Sequence, residues 1–270
     1  VTHRARDTGK VAAAVFALVL ATGVAAQDAI IPFDPDYAPL SFQDDAGEAD
    51  GFDVDVARAI AGKLGITPEF SPELFRTIKS GGWPEDWIYS VASMSRNAER
   101  EEAFDFVGPY YYDAVILVGP PGTEGATVTA ARDKRIGTCS GCIYADYIAG
   151  QYRNVDGNEI KPFGNARVVL FPTETDMLRS LADPAEDLID FGMTSVHKVD
   201  FFIATGRPVT KVSGPIFVEP VWIAVPKGHE EMRASVEEAW RALGSDGTLG
   251  ELSRRWLGED YTRLPDAGNG

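Results

Sequence analysis

Ser93-Met94-Ser95, then Arg100, then Phe104-Asp105-Phe106-Val107-Gly108-Pro109-Tyr110 is the stretch on which the fold of this chain turns. Val91 and Ala92 read as the end of a short apolar strand, with two hydroxyls two residues apart where it runs out. Asn97 to Ala103 reads as the next helical turn, and it carries one guanidinium, Arg100. Hydroxyls, free backbone N–H groups and a planar fork of donors at a strand end suit a carboxylate guest. Arg100 also stands among Arg96, Glu99, Glu101 and Glu102, and such a charged run alone is ordinarily a solvated face. The sequence on either side decides between the two.

Upstream, Arg4, Arg6 and Lys10 precede an apolar run over 11–24, and Val24-Ala25-Ala26 offers small residues for cleavage before Gln27. The run is short of the roughly 18 to 20 residues needed to cross a bilayer, so a secretory signal over 1–26 fits better than an anchor. A soluble protein exported to the periplasm is therefore expected. The full chain carries 25 basic and 41 acidic residues, a net charge of −16. Removing the basic leader makes the remainder more negative. Such a surface excludes nucleic acid and an anionic membrane as natural partners. It leaves an anionic small molecule open, because local donors dominate inside a cleft.

Short apolar runs alternate with helical periods, which predicts an α/β architecture. Strands are expected at 29–31, 66–70, 114–118, 135–138, 168–171, 188–193 and 222–225. Asp53 is expected to cap a helix with Val56, Ala57, Ile60, Ala61 and Leu64 on its apolar face and Gly65 as its stop. Thr173 with Asp176 reads as a capping box. Two helices, near 230–243 and 249–256, close the chain. Breaks at 119–125 and 212–220 suggest that the chain leaves one lobe and returns to it, with a ligand cleft between lobes.

Three ordered motifs carry a resemblance. Gly51-Phe52-Asp53-Val54-Asp55-Val56-Ala57 matches G-F-D-x-D-x-A. Met94 to Tyr111 matches M-S-x-x-x-x-R followed by F-x-x-P-Y-Y. Asp246-Gly247-Thr248 with Trp256-Leu257-Gly258 matches D-G-T and W-x-G. Together they make the chain resemble the polar amino-acid branch, family 3, of the periplasmic solute-binding proteins that serve ABC importers. The resemblance implies a type II two-lobed α/β fold, each lobe a β-sheet flanked by helices, with two crossing strands near 112–114 and 216–219. Lobe 1 is expected over 27–111 plus 219–270 and lobe 2 over 112–218. The implied partners are a small-molecule ligand and an inner-membrane ABC permease, with the protein acting as a monomer.

The resemblance also assigns roles. Arg100 grips the ligand's α-carboxylate and Ser95 assists with its hydroxyl and N–H. Ser93 lends a backbone carbonyl, Tyr37 and Phe75 are aromatic walls, and Asp34 faces a cationic side chain. Cys142 and Ile143 offer N–H groups from the second lobe. Ser195 occupies the place where related receptors carry an aspartate for the α-ammonium. A serine cannot neutralise a buried ammonium. Asp200 or Glu219 is one substitute, and a guest without a free ammonium, or a quaternary one caged by Tyr37, Phe75, Trp83, Trp87 and Tyr112, is another.

Cys139 and Cys142 are the only cysteines, and in an exported chain they are expected to form a disulfide. Cys-x-x-Cys also occurs in redox motifs, but the surrounding order of elements argues for a brace on the ligand-binding loop. An enzyme on the same scaffold, of the cyclohexadienyl dehydratase kind, is the alternative function, and a soluble sensor for a membrane receptor is another. Replacement of the lobe 2 aspartate by Ser195 removes the obvious catalytic acid. His197 is expected to be exposed. No cofactor or metal is expected from any ligand spacing.

Overall fold

The computed structural model describes residues 29–151, 163–183 and 185–264; the expected signal sequence lies outside the described residues. Its centre is a pair of long antiparallel strands, Phe104–Gly119 and Phe217–Pro226, whose register runs from Phe104↔Pro226 to Val115↔Phe217. They are the two crossing strands, and they pair with each other rather than crossing separately. Ser90–Ser95 joins one side of the pair, while Phe191–Ser195, Arg135–Cys139 and Arg167–Phe171 follow on the other. The two halves thus share one continuous seven-stranded sheet, with Thr210–Lys211 pairing the far end of the first long strand.

The sequence reading caught only the second half of Phe104–Gly119, because Gly108-Pro109 normally ends a strand. Here a bulge absorbs them: the register shifts between Val221 and Ile223, and Gly108 sits at φ 127. Beyond the bulge the strand's period of two separates its side chains. Val115 and Leu117 enter a core with Ile136, Tyr147, Phe163 and Met193. Ile116 and Val118 enter another with Met177, Leu178, Val199 and Phe202 on the opposite face. Before the bulge, a third core gathers Ile31, Phe52, Tyr89, Tyr110, Ile223 and Val236. Separate cores on either side of the long strands leave a seam between the halves.

The helix Phe52–Leu64 supplies the largest apolar face to this third core and ends at Gly65 in the left-handed region, as expected. Its start corrects the sequence reading. Gly51, not Asp53, is the cap, and the first N–H groups are satisfied by Pro39 and Leu40 carbonyls. Asp53 lies inside the first turn, fully buried, with its carboxylate turned into the protein. The Thr173 cap is as read: its side chain accepts from Asp176 N and opens Glu174–Ala182. Glu230–Ser245 and Thr248–Leu257 close the described chain.

Candidate functional site

Asn97 caps the helix Ala98–Ala103 by accepting from Arg100 N at 2.9 Å, which fixes where the arginine leaves the helix. The Arg100 side chain is not on the surface. It is 3% exposed, its guanidinium lies 5.4 Å from the Phe75 ring centroid, and Nη1 donates to Ser95 O at 2.6 Å. Nη2 reaches across the seam to Gly141 O at 2.9 Å. Burial lowers its pKa, and the nearby Glu219 carboxyl works against that shift. A buried arginine with two carbonyls and, among the described residues, no carboxylate in direct contact retains donors for a guest anion.

Arg100 lines a cavity of about 550 Å³, its open mouth included, in the seam between the halves. Of the residues singled out in the sequence, Arg100, Ser95, Ser93, Tyr37, Asp34, Phe75, Cys142 and Ile143 all border it. Asp36, Tyr144, Pro172, Thr173 and Glu174 border it too and went unrecognised. Tyr144 stands two residues after Cys142, and nothing local in the sequence sets it apart. Glu174 follows the Thr173 cap, where an acidic residue reads as a partner for the helix dipole. Its burial beside the cavity with Asp34 is a tertiary fact with no local signal.

Ser195 is not in the cavity. It is fully buried, its hydroxyl donates to Asp113 Oδ1 at 2.8 Å, and it accepts from His197 N as the cap of Val196–Ala204. The carboxylate nearest that position is therefore Asp113, from the first long strand, and burial pushes its pKa well up. Neither proposed substitute borders the cavity. Asp200 is exposed and paired with Lys211, and Glu219 accepts from Tyr144 Oη at 2.9 Å beside Arg100. The five-ring cage does not form either. Trp83 and Trp87 pack on each other, Trp83 packs on Phe104, and neither tryptophan nor Tyr112 borders the cavity. His197 is 6% exposed, contrary to expectation; burial lowers its pKa to about 4, and its ring meets Tyr261 at 4.5 Å.

The opposite wall is acidic. Asp34 accepts from Asp36 N at 3.0 Å, and burial raises its pKa to about 6 against the pull of that N–H and of Lys198. Glu174 is buried, accepts from Thr194 Oγ1, and is raised to about 7, again chiefly by burial. Lys198 lies behind this wall, donating to Asp36 O at 2.7 Å with Nζ 5.3 Å from the Tyr37 ring centroid. The cavity thus pairs one guanidinium beside the Phe75 ring at one end with carboxyl groups and the Tyr37 ring at the other, a fit for a small zwitterionic or cationic carboxylate. Cys139 and Cys142 are joined as a disulfide, with Cα atoms 5.5 Å apart. With Glu174 they form the one group spaced for a metal among the described residues, but the bonded sulfurs offer no thiolate.

Comparison with known proteins gives the same picture. The L-cystine-binding protein TcyJ of Escherichia coli K12 is 26% identical over 239 residues, covering 87% of this chain and 84% of that protein. A putative ABC transporter arginine-binding protein 2 of the same strain is 23% identical over 250 residues, covering 91% and 97%. An ancestral arginine-binding protein solved with arginine superposes with a TM-score of 0.72 at 23% identity, covering 86% of this chain and 98% of that one, which shows the two-lobed fold. The model of the bacterial extracellular solute-binding proteins, family 3, matches residues 30–259. A match over nearly the whole described chain, on top of the closed α/β cleft, means that the chain belongs to that family.

Proposed function

We propose that this protein captures a small carboxylate-bearing solute, an amino acid or a close relative of one, and presents it to an ABC permease in the inner membrane. The observation that carries the reading is the buried Arg100 guanidinium in a cavity between two halves of the fold. The protein acts by binding, as a monomer, after export through a cleaved signal over 1–26. Lobe 1 comprises 27–111 with 219–270 and lobe 2 comprises 112–218, and they close on the guest. Arg100, Ser95 and the N–H of Ile143 hold its carboxylate, while the Cys142 N–H donates to Cys139 O at 3.3 Å and so shapes the turn. Tyr37 and Phe75 flank it, and Asp34 with the carbonyl of Ser93 takes its polar far end. Ser195 acts indirectly, by orienting Asp113.

Each charge-assisted hydrogen bond to the carboxylate contributes roughly 1.5–3 kcal/mol. Two such bonds with aromatic burial reach the roughly 8 kcal/mol of a micromolar binder. Melting-temperature shifts across the amino acids, small carboxylates and opines identify the guest, since a ligand stabilises the state it binds. Calorimetry with the best ligand should then show that Arg100→Ala lowers affinity by about a hundredfold, equivalent to about 3 kcal/mol, with the far-ultraviolet spectrum unchanged. Equal affinities for the two proteins would overturn the assignment.

A further inference from the structure

Capture of a solute leaves one feature without a chemical role, the disulfide that closes the turn Cys139-Ser140-Gly141-Cys142. A purely structural brace belongs behind a wall. Here both cysteines border the cavity itself. The turn is also tied into the site: Gly141 O accepts from Arg100 at 2.9 Å, and Glu174 Oε1 stands 3.5 Å from Cys142 Sγ. A disulfide sulfur has no proton to donate, so that contact is not a hydrogen bond from sulfur. A carboxyl group so placed becomes useful when the S–S bond opens and Cys142 must take up a proton. Glu174 is suited to hold one, being 4% exposed with a pKa raised to about 7. The groups that set its charge are Thr194 and Lys198, which favour the carboxylate, and Asp34 and Glu219, which oppose it.

We propose that the cavity disulfide is a thiol–disulfide exchange site, in which a small carboxylate-bearing thiol docked on Arg100 attacks Cys139 Sγ while Glu174 protonates the departing Cys142. The proposal rests on Arg100 as the carboxylate anchor. In the first step the thiolate forms a bond to Cys139 Sγ, the Cys139–Cys142 bond breaks, and Cys142 Sγ leaves with the electron pair and the Glu174 proton. In the second step another thiolate attacks the ligand's sulfur, the pair returns to Cys139, and Cys139 takes a proton from water. The protons that the two thiols gave up to solvent balance these, one of them restoring Glu174. Two thiols are oxidised to one small disulfide and the protein disulfide is reduced, a two-electron exchange without turnover.

The test uses the oxidised full-length protein without oxygen, with L-cysteine and with cysteamine, which lacks the carboxylate, at equal thiolate concentration. Alkylation and mass spectrometry follow the opening of the disulfide. L-Cysteine should act at least about tenfold faster than cysteamine, because docking raises its effective concentration at the sulfur. The preference should vanish in Arg100→Ala, and Glu174→Gln should abolish the inflection of the rate near neutral pH. A Cys-Ser-Gly-Cys peptide disulfide supplies a reference that needs no variant to fold. If the protein shows no more preference for L-cysteine than the peptide does, the exchange site is overturned. Melting-temperature shifts with amino acids lacking a thiol separate the two readings. A shift without preferential exchange overturns the exchange alone, whereas the absence of both overturns the Arg100 reading as well.

Discussion

At Ser93 the backbone takes φ 46, a region that L side chains seldom occupy, inside a strand that borders the cavity. A closed network holds it there. Ser93 N donates to Tyr110 Oη at 3.1 Å, Tyr110 Oη donates to Asp53 Oδ1 at 2.7 Å, and Ser93 Oγ donates to Asp53 Oδ2 at 2.7 Å. Tyr111 Oη, at 2.9 Å, completes the set on Ser93 Oγ. The hydroxyl is thereby spent within the protein, which leaves the serine's backbone as the part available to a guest. Ser93→Ala strips Asp53 and Tyr111 of a buried partner and should cost about 1–3 kcal/mol, read as a lower urea midpoint. An unchanged midpoint would mean that water replaces the hydroxyl. Ser93, singled out in the sequence, borders the cavity, whereas Asp53 read only as a helix cap, because its partners Ser93 and Tyr110 lie 40 and 57 residues away along the chain.

Among the elements, the first helix shows how one glycine sets an entry angle. Gly51 has φ 118, and a Cβ there would lie 2.5 Å from Leu40 O, a backbone atom that the loop before it cannot easily move. The same close approach lets Leu40 and Pro39 carbonyls accept from the helix's first N–H groups. Gly51→Ala should therefore destabilise the fold by at least about 1–3 kcal/mol, with guanidinium unfolding as the measure and ligand affinity per folded molecule preserved. The helix and its Gly65 stop were readable because their signals lie within a few residues, whereas its cap was not, since the contact between Gly51 and Leu40 is set by the fold of the preceding loop. The long strand Phe104–Gly119 was only half readable. Its Gly108-Pro109 bulge is stable because the partner Phe217–Pro226, more than a hundred residues later, shifts register to match.

On the scale of the molecule, the halves meet through Arg100 with Gly141 O, Lys198 with Asp36 O, and Thr175 Oγ1 with Asp36 Oδ1 at 2.9 Å. Burying the seam makes stability depend on pH. Burial raises Asp34 to about 6 and Asp53 and Glu174 to about 7. Between pH 5 and their folded values these groups hold protons that the unfolded chain has released, so their contribution is lost as pH rises. His197, lowered to about 4 by burial, acts in the opposite sense between about 4 and 6.5, where only the unfolded form binds the proton. Three carboxyl groups against one imidazole predict a urea midpoint that falls from pH 5 to pH 7.5 without ligand. Asp53→Asn should flatten the fall, its penalty shrinking as pH rises; a midpoint that climbs with pH in both proteins would contradict this. An added ligand ammonium would favour the charged carboxylates and move the same curve.

The amino-acid sequence by itself determined the α/β class, the order of the motifs and the Gly65 helix stop, and it pointed to eight of the residues that border the cavity. The first three rest on period, composition or spacing within a short window, and the cavity residues on the resemblance to the family. Only the tertiary structure decided the rest. It removed Ser195 from the cavity and gave it Asp113, buried His197, set Glu174 beside the cavity with Asp34, and brought Cys139 and Cys142 to its border. Those outcomes depend on which strands pair across the seam. Pairing brings together residues far apart in the chain and withdraws them from water, which is what shifts their charge and makes them chemically distinct.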